Sequence, residues 1–102
     1  MYFYLGRNKK SYHGVNKTDA AKNSPCRIDV TFNENCTGLV VHNVHRKGTL
    51  DEMWTTLHDV IWYGKTKTKS VTHVSIHTKK FPEAFLRRHG FEKINNVYML
   101  KF

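Results

Sequence analysis

The chain has 102 residues, of which 39% are hydrophobic and 13% aromatic. That is enough for one modest core and too much for wholesale disorder. Seventeen Lys and Arg stand against 8 Asp and Glu, a net charge of +9 that seven histidines raise in acid, and no apolar run nears the ~18 residues of a membrane span.

The start MYFYLGRNKK lacks the charge order of a signal peptide. The expectation is a cytoplasmic protein with no membrane partner. Residues 1–5 (MYFYL) read as a short strand. Residues 6–25 are polar and basic without a sustained period, a loop or arm in which TDAAKN forms one helical turn at most. CRIDVTF (26–32) alternates Ile28, Val30 and Phe32 against Arg27, Asp29 and Thr31, the pattern of a half-buried strand. NEN (33–35) turns the chain. CTGLVVHNVH (36–45) follows, with Leu39 and Val41 on one face and Val40 and Val44 on the other, which predicts a central strand in a sheet covered on both sides.

The clearest helix begins at Thr49, which stands in capping-box spacing with Glu52. Leu50, Met53, Trp54, Leu57, Val60 and Ile61 form its apolar stripe, and Gly64 is its expected stop. A basic loop KTKTKS (65–70) leads to the strand VTHVSIHT (71–78), with Val74 and Ile76 on one face and His73, Ser75 and His77 on the other. FPEAFLRRHG (81–90) is a helix of about two turns, with Pro82 suited to its first position, Arg87 and Arg88 against the negative dipole end, and Gly90 in a left-handed stop that brings Phe91 onto Leu86. FEKI-NN-VYMLKF closes the chain as a hairpin around Asn95–Asn96. The order predicts one α/β or α+β domain over 1–102 with a mixed central sheet, flanking helices and a parallel strand–helix–strand crossover across 37–78. Residues 1–25 form a strand plus basic arm, and 26–102 form the core.

Cys26 and Cys36 fall out of register on the predicted hairpin and read as free thiols. His42, His45, His73 and His77 lie on neighbouring strands, with His42 and His45 on opposite faces. Positions four apart in a strand are ~13 Å apart, so His73 and His77 cannot share a metal, and no metal site is expected. A histidine lining a cleft can act as a general base near neutral pH, or simply fill a half-polar face. The charge points to a polyanion: nucleic acid, an anionic surface or a phosphate-bearing cofactor; solvation alone is the competing explanation. Lys65, Lys67, Lys69, Lys79, Lys80, Arg87 and Arg88 cluster near the two ends of one predicted strand. With Arg7, Lys9 and Lys10 they make a candidate nucleic-acid or anion-binding surface, on which Tyr2, Tyr4 and Tyr12 are placed to stack on bases.

From residue 26 to 102 the chain resembles the GNAT superfamily of N-acetyltransferases. The resemblance rests on VVHNVHRKGTLDEMW at the strand-to-helix loop, VTHVSIHT at the parallel strand and FLRRHGFEKINNVYMLKF at the ending. It implies that Val44, His45, Arg46, Lys47, Gly48 and Thr49 hold acetyl-CoA, with backbone amides on its pyrophosphate. An amine acceptor, deprotonated by water or by His42, would attack the thioester. The chain departs from the family pattern at His45 (Arg or Gln in the family), at Leu50 (a small residue) and at Leu86 (often a general-acid tyrosine), and it carries no carboxylate on strand 37–47. It is similar in size and style to small phage virion and accessory proteins that resemble GNAT domains in this reduced form, which would place it in host cytoplasm. Two functions follow: an acyl-CoA-dependent N-acetyltransferase or degenerate relative, or a non-catalytic basic protein binding nucleic acid or a host protein. A shortened domain also leaves a sheet edge through which two copies can pair as a homodimer.

Overall fold

The computed structural model describes residues 1–102. In chain order the elements are β1 (Tyr2–Leu5), β2 (Ser11–Gly14), α1 (Asp19–Lys22), β3 (Cys26–Phe32), β4 (Gly38–Arg46), α2 (Leu50–Thr66), β5 (His73–Ile76), α3 (Glu83–Arg88), β6 (Glu92–Ile94) and β7 (Val97–Lys101). The strands make one mixed seven-stranded sheet in the order β2-β1-β3-β4-β5-β7-β6. Only β4 and β5 are parallel, joined through α2; every other pair is antiparallel. The architecture is α+β.

The alternation in β3 sets the core. Ile28 pairs with Phe3 and Val44, and Val30 with Val41, so these side chains share one face of the sheet and are buried there. Val74 and Ile76 of β5 extend that face. Against it lies the stripe of α2, where Met53, Leu57, Val60 and Ile61 are buried. Each such side chain contributes about 1.5–3 kcal/mol by leaving water. Leu50 stays exposed, and Trp54 is partly buried, stacking its ring on His89 at 3.6 Å beyond α3.

Local signals act as their chemistry dictates. Both halves of the Thr49–Glu52 capping box are made. Gly90 has φ +91°, its N–H donates to Arg87 O and the Phe91 N–H to Leu86 O, a complete Schellman ending. Asn95 and Asn96 have φ of 51° and 66°, the two left-handed residues a tight type I′ hairpin needs.

Five expectations are corrected. The arm 6–25 is not one loop: Ser11–Gly14 pairs antiparallel with β1 as an edge strand, and Thr18 caps the single turn of α1. Gly64 does not stop α2, which runs on to Thr66; a Cβ there would press on the Phe102 ring and Leu39. Pro82 is the residue flanking α3, with extended ψ of 134°, not its first helical residue. The turn after β3 runs through Thr37, with Cys36 at φ 56° and Asn33 Oδ1 accepting from the Thr37 N–H.

The fifth matters most for function. The β3–β4 register slips between Asp29 and Val30, so that β4 carries one extra residue, His42. This bulge returns Val44 to the face of Leu39 and Val41 and leaves Val40 as the apolar residue opposite. The face away from α2 is therefore largely polar; α2 packs on the apolar side, and α3 lies beside it through Trp54 and Phe85.

Candidate functional site

The turn from β4 into α2 has the residue types of an anion cradle, and its donors can be followed one by one. The N–H groups of Lys47 and Gly48 both donate to the carbonyl of Pro25, at 2.8 and 3.2 Å. The Thr49 N–H donates to Glu52 Oε1 at 3.0 Å, and the Glu52 N–H to Thr49 Oγ1 at 3.2 Å. Arg46 Nη1 donates to the Gly48 carbonyl. Only the N–H groups of Leu50 and Asp51 at the head of α2 lack a partner in the chain. The Glu52 carboxylate occupies the space that a Cβ on Gly48 would fill. The opening a glycine leaves for a phosphate is thus taken by a carboxylate, and a helix start that attracts anions is partly neutralised by Asp51 and Glu52.

Side chains of the same segment diverge. Val44 is in the core, Arg46 pairs opposite Cys26 on the α2 side, and His45 pairs opposite the buried Arg27 on the face away from α2. β4 and β5 pair from Gly38–His73 to Val41–Ile76, with one further bond from the His77 N–H to Val41 O. Beyond it β4 runs on to Arg46 with no β5 partner, because β5 ends at Ile76.

His42 does not face away from His45. Its Nε2 is 2.6 Å from Thr31 Oγ1, which puts it on the face away from α2, where its ring lies 6.4 Å from that of His77. His45 Nε2 is 3.0 Å from Asn43 Nδ2, and His73 lies over Gly38, whose missing side chain makes room for the imidazole. Four histidines therefore share one face across β4 and β5. No group of three or more potential metal ligands forms.

The predicted basic surface is divided. Lys65, Lys67 and Lys69 belong to the end of α2 and the loop before β5, with Lys65 over the Phe102 ring and Lys67 over Trp62. Lys79, Lys80, Arg87 and Arg88 follow the far end of β5, with Arg87 over the Tyr98 ring. A cavity of about 530 Å³ lies at that end, floored by Ile76, Phe81, Leu86 and Tyr98 and rimmed by Lys79 and Lys93. The Tyr98 hydroxyl is buried without a partner.

Three groups titrate away from their ordinary values. Burial pushes the Cys26 thiol up, outweighing the opposite pull of Thr56, so it stays protonated and inert. Burial holds His45 down, aided by Arg27 and, more weakly, Lys80 and Lys17, against the pull of Asp29. Burial and Arg88 hold His89 down. The cations that lower His45 come from three separate segments of the chain. The alternation of Arg27, Asp29 and Thr31 was the available signal for that face.

Comparison with known proteins finds no matching family model, no similar curated protein and no similar solved structure.

Proposed function

We propose that the chain is a reduced GNAT-like domain used without acetyl-CoA, a non-catalytic binding protein for an acidic macromolecule. The order of elements favours that scaffold: antiparallel β3 and β4, a parallel return through α2 to a β5 shorter than β4, then α3 with its Gly90–Phe91 ending and a closing hairpin. The observation that carries the non-catalytic reading is the state of the turn. The amides of Lys47, Gly48 and Thr49 are already bonded, and Glu52 stands where a pyrophosphate would approach. Releasing Pro25 and Glu52 to admit a phosphate would break bonds that each contribute roughly 0.5–1.5 kcal/mol and expose β4 at its pairing with β3. A net charge of +9 with no compensating acidic region supports an acidic partner.

The acetyltransferase reading has one observation in its favour, the stretch of β4 beyond Val41 that has no β5 partner. In it, residues 44–49 hold acetyl-CoA, and His42 or water takes the acceptor's proton. A thermal-shift titration separates the two. A cofactor at a hundred times its Kd adds about 2.7 kcal/mol, a rise in Tm on the order of 10 °C for a domain of this size. The expected result is no shift at millimolar acetyl-CoA; a saturable shift, with transfer to an amine, would falsify the binding reading.

A further inference from the structure

We propose that the sheet face opposite α2 is a platform for single-stranded nucleic acid; this rests on the reading of the protein as a binder of acidic macromolecules and names the surface and the partner. The register fixes what stands there. Tyr2 and Tyr4 of β1 pair with Asp29 and Arg27 of β3, which pair in turn with Asn43 and His45 of β4. Tyr12 of β2 lies beside Tyr4, their rings stacked at 6.0 Å, and is 43% exposed. The face thus runs from a tyrosine edge, across amide and imidazole groups, to the four histidines of β4 and β5.

Its charge is placed as well as its rings. Arg27 is 6% exposed and held by Asp29 at 3.0 Å, a fixed buried cation beneath the surface rather than a mobile one upon it. The Lys17 ammonium sits over the Tyr2 ring at 5.5 Å. Lys80, arriving from the far end of β5, joins Lys17 and Arg27 in depressing the titration of His45. Asp29 pulls the other way more strongly than either lysine, and the cation in register with the exposed His45 is Arg27.

Each feature selects against other occupants. A second copy of the chain would set like charges face to face. A protein partner needs buried apolar anchors at the centre of its interface, and the aliphatic side chains of this face, Val40, Met99, Val97 and Ile94, are all half-buried and run toward the β6 edge, away from the tyrosines. Duplex nucleic acid hides its bases from the tyrosine rings. A single strand presents phosphates to Lys17, Lys80 and His45 and open bases to Tyr12 and Tyr4, the combination of cationic track and stacking ring that single strands require. Asn43 and the imidazoles add hydrogen-bonding edges that can face either base or phosphate.

The test is fluorescence anisotropy with labelled oligo-dT and oligo-U of about 16 nucleotides, the upper end of a single-domain footprint, over a salt series. The unmodified chain is expected to bind both, with affinity falling steeply as salt rises. The double variant His45→Glu, Lys80→Glu changes two exposed residues and should weaken binding at least tenfold, flattening the salt slope by about 0.7 for each phosphate contact removed. Tyr12→Ala should weaken it about tenfold and Tyr12→Phe little, since stacking needs the ring and not the hydroxyl. Lys65→Glu, Lys69→Glu, at the other end of β5, should change it far less. On the unmodified chain, followed by NMR, oligo-dT should draw the titration of His45 upward, which a purely structural role for the face would not do. Retained binding in the His45–Lys80 variant, with loss in the Lys65–Lys69 variant, overturns the platform and leaves the binding reading standing. Equal competition by duplex, or no binding of either strand at low salt, overturns it too. Failure of the underlying reading looks different: stabilisation by acetyl-CoA.

Discussion

The two faces of the sheet are built from the same strands and answer to different physics. On the α2 side, Phe3, Ile28, Val30, Leu39, Val41 and Val74 are fully or almost fully buried and meet Met53, Leu57 and Val60. On the other side, the same strands carry Arg27, Thr31, His42, His45 and His73. The first face is held by area removed from water, so its identity is set by volume. The second is polar: Arg27 is buried against Asp29, while Thr31, His42 and His45 are exposed and open to recognition. A single extra residue, His42, keeps the two apart by returning Val44 to the core.

Substitutions sharpen this contrast. The largest effect is expected from Leu57→Ala, which empties a fully buried site at the centre of the α2 contact; urea unfolding should show a loss of about 2–5 kcal/mol. Gly90→Ala comes next. The new Cβ would meet Leu100 at an ordinary 3.4 Å, so the cost is the left-handed backbone itself at φ +91°, roughly 1–2 kcal/mol. Thr49→Ala removes the acceptor for the Glu52 N–H and should cost about 1 kcal/mol. On the face away from α2, Thr31→Ala loses only an exposed contact with His42 and should stay within ~0.5 kcal/mol. A larger loss there would mean that the face is structural after all.

Acid gives a gentler probe. His45 and His89 both titrate below their ordinary value when folded, so the unfolded chain binds protons first as pH falls. Their contribution to stability is complete above the unfolded value of about 6.5 and is lost as pH drops through the lower folded values. Denaturation midpoints measured from pH 8 to 5 should fall, and His45→Gln with His89→Gln should flatten that slope.

What could be read from the chain was what neighbours in sequence decide. The capping box of Thr49, the Schellman ending at Gly90 and the Asn95–Asn96 turn each depend on a few adjacent residues, and each forms. The parallel return from β4 to β5 followed from the length of α2 between two strands. The edge strand β2 escaped because SYHG is short and half polar, and it is a strand only because β1 offers it a ladder. The bulge at His42 escaped because strict alternation assigns Val44 to the wrong face; only pairing with Ile28 corrects it. The turn at Gly48 shows the same limit at the candidate site. Its residues suit a phosphate, but the carbonyl of Pro25, more than 20 residues away, accepts from its donors.

The two faces can be tested together by following backbone amide resonances while oligo-dT is added to the unmodified chain. The account predicts shifts concentrated at Tyr12, Lys17, Thr31, Asn43, His45 and Lys80, with α2 unmoved. Shifts centred on Lys47–Glu52, or on the lysines between Lys65 and Lys69, would contradict it.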